Sequence, residues 1–209
     1  MLLLLMIYKW RELPNNTNQR VFVSRLGCTC FSSATIALVS IEKIVQTFDD
    51  VINNNKSFVS TFEHEELTGT AKEGLAIVTC MDSRISPLAV VGMKPGDAKI
   101  LRNAGARVTD DVLRTLVLAS YLLGVKRILI MPHTDCRMAN SDEAGIHEQI
   151  KTQYGVDTTS IEFKTVKDQK SALIADMEKV RSFPLLNDEV VVMGAIYDVA
   201  TGKLEPLIG

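Results

Sequence analysis

Leu75-Ala76-Ile77-Val78-Thr79-Cys80 is an almost unbroken apolar run. A strand with one wet face alternates apolar and polar residues, and this one does not. The run therefore predicts a strand buried on both faces, as in a parallel sheet covered by helices. Parallel neighbours need crossover connections, usually helical, so helices must lie between the strands. The chain supplies them. Residues 98–101, 126–131 and 190–197 read as further strands, and a short last one follows the turn Ala200-Thr201-Gly202-Lys203. Thr109 before Asp110 and Asp111 predicts a helix start, with Val112, Leu116, Ala119 and Leu123 as its buried face and Gly124 as its stop. Helical patterns also span 87–93, 141–153 and 168–183. The expected fold is α/β: a mainly parallel central sheet of order 2-1-3-4, with a short final antiparallel strand, flanked by helices.

The N-terminal part is different. Residues 1–40 read as an extension, disordered or targeting, and 41–209 as a single domain. Lys9, Arg11, Arg20 and Arg25 against Glu12 give the extension a net charge of +3, and residues 13–40 contain no acid. That composition suits an organellar transit segment, mitochondrial for example; without such a role the expected location is cytoplasmic. Ser40 is placed to cap a helix with Ile41, Ile44, Val45, Phe48, Val51 and Ile52 on one face, ended by Asn53-Asn54-Asn55. The net charge of -2 argues against nucleic acid as a partner. No apolar run reaches the roughly 18–20 residues that cross a bilayer. Four cysteines do not make a disulfide scaffold at this length, and Cys28-Thr29-Cys30 alone is a weak metal motif.

The chemistry gathers at the strand ends. Cys80 closes the first strand, and His133 and Cys136 follow the third, 53 residues on. In a sheet of order 2-1-3-4 those strands are neighbours, and the crevice beyond their carboxyl ends is the usual ligand site. Two thiols and an imidazole make a zinc ligand set with a fourth position to spare. Asp82, two residues beyond Cys80, points the same way in extended chain, either as fourth ligand or as partner of a bound water. Arg84 can clamp Asp82 with paired hydrogen bonds and keep it ionised. Two thiolates cancel the charge of Zn²⁺, so activity is expected to rise through mildly alkaline pH. His64 and His147 read as solvated surface residues, the latter with proton transfer as its rival role. Arg102 and Arg107 read as makers of structural ion pairs or an interface, and Gly105 as a place where backbone approaches the site.

Cys80-Met81-Asp82-Ser83-Arg84, Arg102-Asn103-Ala104-Gly105 and His133-Thr134-Asp135-Cys136 together resemble the β-class carbonic anhydrases, and Val108-Thr109-Asp110-Asp111 with Tyr197-Asp198-Val199-Ala200-Thr201-Gly202 resembles the small prokaryotic-type members. The resemblance runs from about Leu75 to Met138, and more loosely to the end. It implies a zinc enzyme that interconverts CO2 and bicarbonate by metal-hydroxide attack. One Zn²⁺ per subunit would be held by Cys80, His133 and Cys136, with Asp82 and Arg84 as the catalytic dyad. It further implies a homodimer or an assembly of dimers, with the helix over 41–55 lying on the partner. In some members the aspartate swings onto zinc, and Asp82 is placed to do so. Many members have glycine after the second cysteine where this chain has Arg137, which could narrow the entrance or pair with Asp135 or an acidic partner. Two other readings fit the same residues: a zinc hydrolase of another small linear molecule such as carbon disulfide, and a catalytically silent zinc-stabilised binding protein.

Overall fold

The computed structural model describes residue 43 and residues 46–207. The readings of residues 1–40, of the Cys28 and Cys30 pair, of Ser40 as a cap and of Ile41, Ile44 and Val45 fall outside the described residues. The chain divides into two units, 1–58 and 59–209.

Helix α1 (Asp49–Val59) corrects an expectation. The helix does not end at Asn53-Asn54-Asn55; all three lie inside it. Asparagine lowers helix propensity without breaking a helix as proline does. Here Lys56 Nζ donates to Asn53 Oδ1 at 3.0 Å, and Asp49, Asp50 and Lys56 each sit at the end of the helix dipole that suits their charge.

The second unit holds the sheet. Strands β1 (Leu75–Cys80), β2 (Ala98–Asn103), β3 (Arg127–Met131), β4 (Val191–Tyr197) and β5 (Leu204–Leu207) are ordered β2-β1-β3-β4-β5. The first four run parallel, and β5 pairs antiparallel with β4. Every residue of β1 is buried. Its side chains divide between two cores. Ala76 and Val78, with Ile128 and Ile130 of β3, join a cluster completed by helices α3 (Asp110–Leu122) and α5 (Gln169–Arg181) through Leu116, Leu173 and Met177. Leu75 and Ile77, with Leu129 and Met131, face a second cluster that includes Val90 of the short helix α2 (Pro87–Val90) and Ile146 of α4 (Glu143–Tyr154). Period-two alternation thus sends successive residues into opposite helical layers, which is why the run is almost wholly apolar, and its one hydroxyl, Thr79 Oγ1, donates to Met131 O at 2.8 Å.

The helices start where short polar side chains can cap them. Thr109 Oγ1 accepts from Val112 N at 3.4 Å, Asp142 from Gly145 N at 2.7 Å and Asp168 from Ser171 N at 2.9 Å. Gly124 follows α3 with φ 75, and a Cβ there would meet Thr70 Cγ2 at 2.7 Å, so the stop is both conformational and steric. Among the described residues, no helix is long and apolar enough to cross a membrane.

Candidate metal centre

Strand order places β1 between β2 and β3, so the chain's crossovers change direction at β1 and leave a crevice beyond the carboxyl ends of β1 and β3. Cys80 is the last residue of β1. His133 comes two residues after β3 and is pinned by β4, since Tyr197 N donates to Pro132 O and Thr134 N donates to Tyr197 O, both at 2.9 Å. Gln169 Nε2, at the start of α5, donates to His133 O at 2.7 Å.

These elements bring Cys80, His133 and Cys136 together, all three buried, with their ligand atoms within 4.8 Å of one another. The histidine shows which atom faces the sulfurs. Nδ1 lies 2.8 Å from Thr134 O, and a carbonyl can only accept, so Nδ1 carries the proton. Nε2 then presents a lone pair, is buried, and has no hydrogen-bond partner among the described residues. A buried nitrogen left in that state is costly unless something else takes its lone pair. Two sulfurs and a bare imidazole nitrogen fit a tetrahedral metal such as zinc with one position open.

The electrostatics point the same way. The Cys136 thiol, hydrogen-bonded to Cys80, holds Cys80 well below the ordinary thiol range against the opposing effect of burial; His133 and the backbone N–H groups of Gly105 and Asp82 add to it. The same contact, with burial, pushes Cys136 upward. Burial is the largest single influence and works against a charged His133, but the neighbouring Cys80 sulfur, the Thr134 carbonyl and the charge of Asp82 together outweigh it and the net shift is upward. One thiolate beside two protonatable ligands is a cluster primed to exchange protons for a cation.

Asp82 and Arg84 form the clamp expected of them. Asp82 Oδ1 accepts from Arg84 N at 2.9 Å and from Nε at 3.0 Å, while Oδ2 accepts from a terminal nitrogen at 2.8 Å. Those contacts hold the Asp82 carboxyl far below the usual carboxylate range and raise Arg84 further. Asp82 Oδ2 is 3.8 Å from His133 Nε2, so the carboxylate borders the metal position. A crevice of about 390 Å³ opens here, lined by Asp82, Arg84, His133, Arg137 and Met138 among others.

Other readings need adjustment. Arg107 does make a structural ion pair, 2.7 Å from Asp176. Among the described residues Arg102 pairs with no carboxylate; it donates to the carbonyls of Cys80, Asp82 and Ile85 and so braces the loop that carries Asp82. Arg137 does not pair with Asp135. Its guanidinium reaches Gln149 of α4, and Asp135 is taken by Arg84 at 2.8 Å. His147 is only partly solvated, its side chain 15% exposed. Its ring packs on Phe163 at 5.2 Å and Nδ1 meets Thr158 Oγ1 at 2.9 Å, because the segment after α4 folds back over it. His64 is exposed, as expected. Gly105 has φ 79, lines the crevice, and would bring a Cβ within 3.1 Å of Met138. Asp135 was missed as a site residue. Its only signal was its place between His133 and Cys136.

Comparison with known proteins adds a family. The family model described as carbonic anhydrase matches residues 75–204. "Beta-carbonic anhydrase 1" of Mycobacterium tuberculosis is 33% identical over 156 residues, covering 75% of this chain and 94% of that protein. A crystal structure of carbonic anhydrase from Streptococcus mutans matches with a TM-score of 0.73 at 38% identity, covering 77% of this chain and 97% of that one. A "Carbon disulfide hydrolase" of Acidithiobacillus thiooxidans is 28% identical over 152 residues, covering 63% of this chain and 76% of that protein.

Proposed function

Because this chain belongs to the β-class carbonic anhydrases, we propose that it interconverts CO2 and bicarbonate with one zinc ion held by Cys80, His133 and Cys136. The observation that carries this reading is the buried, unpartnered His133 Nε2 facing two cysteine sulfurs. Zinc bound there would supply the Lewis acidity that makes water a nucleophile.

The chain's own residues supply the rest. Cys80, already held as the thiolate, and Cys136, which gives up its proton to ligate, would hold the ion, and the Nδ1–H of His133, held by the Thr134 carbonyl, keeps Nε2 aimed inward. Asp82, kept ionised by Arg84, can only accept hydrogen bonds, so it fixes the O–H direction of the attacking water and leaves an oxygen lone pair for the carbon of CO2. Ala104, Gly105 and Met138 give the crevice an apolar wall suited to a small uncharged molecule.

The closest rival chemistry, hydrolysis of carbon disulfide, draws support from the relative of that name. Stopped-flow CO2 hydration and carbon disulfide turnover, measured on one zinc-loaded preparation, separate the two. Accelerated CO2 hydration with no carbon disulfide turnover is the expected result. The reverse assigns the second substrate, and a zinc-loaded chain inert to both is a binding protein.

We propose in addition a homodimer or an assembly of dimers. Leu118, Tyr121 and Leu122 leave an exposed apolar face on α3, which association would cover. Light scattering of the full chain that gave a monomer mass at micromolar concentration would reject it.

A further inference from the structure

Arg84 ties together the two rims of the crevice. Two of its nitrogens hold Asp82, on the loop after β1. The third donates to Asp135 Oδ2 at 2.8 Å, on the loop after β3, and the terminal nitrogen shared with Asp82 also reaches the Asp135 carbonyl at 3.2 Å. Asp135 has φ 53, the left-handed region that glycine enters freely and aspartate at some cost. The backbone alone would favour glycine; the carboxylate placed there is spent on Arg84.

Building on the metal reading above, we infer that Asp135 is a positioning residue that keeps Asp82 on Arg84 and off the metal. Asp82 Oδ2 is already 3.8 Å from His133 Nε2, and a carboxylate is a good zinc ligand, so a small rotation would close the open position. Arg84 opposes that rotation, but its side chain is 46% exposed, and an exposed ion pair on a flexible stem is a weak restraint. A guanidinium held only by Asp82 would travel with it. Asp135 removes that freedom. It directly precedes Cys136, so the ligand loop fixes its backbone, and it grips the guanidinium from the opposite rim. With Arg84 anchored, Asp82 must break its paired hydrogen bonds to reach the metal.

The test reads metal coordination and not turnover. The full-length protein is loaded with cobalt(II) and titrated with azide, and the visible absorption reports whether the fourth position is exchangeable. Wild type is expected to bind azide. Asp135→Ala should bind it at least about 10-fold more weakly, because Asp82 has moved onto the metal. The double variant Asp135→Ala/Asp82→Ala should recover the affinity of Asp82→Ala alone, which a merely distorted loop would not do. Asp135→Asn keeps the side-chain shape and should shift in the same direction by less. The inference is overturned if cobalt-loaded Asp135→Ala and Asp135→Asn titrate like wild type, if the weakening persists in the double variant, or if wild type itself excludes azide. A wild-type chain that takes up no cobalt removes the metal reading itself, and the inference with it.

Discussion

Arg84 and Arg102 act on the same loop by different means. Arg84 grips side chains across the crevice, while Arg102 takes the backbone carbonyls of Cys80, Asp82 and Ile85. Removing the second set leaves three acceptors to water or to nothing. Arg102→Ala is expected to cost about 1–2 kcal/mol, the lower part of the range for hydrogen bonds to a charged group because the guanidinium is partly wet. Urea unfolding of the zinc-loaded protein measures it; a change below about 0.5 kcal/mol, the usual size at a featureless surface position, would show that the brace is idle. Cys80, Asp82, Arg84, His133 and Cys136 were legible from the chain because ligand chemistry and strand-end placement mark them. The roles of Arg102 and Asp135 were not, since each depends on a partner brought near only by the fold. His147 was read as a solvated residue for the same reason: its partial burial is made by Thr158 and Phe163, and no helical period reveals that.

At the scale of elements, β4 and α5 meet without clearance. A Cβ added at Gly194 would come 2.8 Å from Met177 Sδ and 2.9 Å from Leu173 Cγ, both in the core on the α5 face of the sheet. Gly194→Ala is expected to destabilise by about 1–3 kcal/mol, as overpacking does. Thermal unfolding reads it, and a variant as stable as wild type would mean that α5 can retreat. The strands themselves were readable to within about two residues because a buried parallel strand admits few polar residues. This tightness was not, because glycine in a strand announces a close approach without naming the neighbour. The end of α1 was misplaced because three asparagines were weighed as a stop, whereas Lys56 and the two flanking acids support the helix through them.

For the whole molecule, one sign of charge effect recurs. Asp82, Glu143, Asp157, Asp168 and Asp198 are each held below the ordinary carboxylate range. The guanidinium of Arg84 is the main cause at Asp82; backbone N–H groups lead at Glu143, Asp157 and Asp198, and the Ser171 hydroxyl leads at Asp168. A carboxyl depressed in the folded state adds stability that is present above its unfolded value, near ~4, and is lost as pH falls through the folded one. The melting temperature should therefore be insensitive to these groups between pH 6 and 8 and should fall steeply below about pH 4. Calorimetry across that span checks this, and a melting temperature that held to pH 3 would contradict it. Since Asp82 stays ionised throughout the neutral range, a rise in activity from pH 6 to 9 belongs to the water activated at the metal and not to Asp82.

The account stands on Cys80, His133 and Cys136 sharing one zinc ion. X-ray absorption at the zinc edge of the protein as purified tests it most directly. Two sulfur ligands, one imidazole nitrogen and one further oxygen are predicted from this ligand set. A shell of four sulfurs, or one without sulfur, would place the metal elsewhere and contradict it.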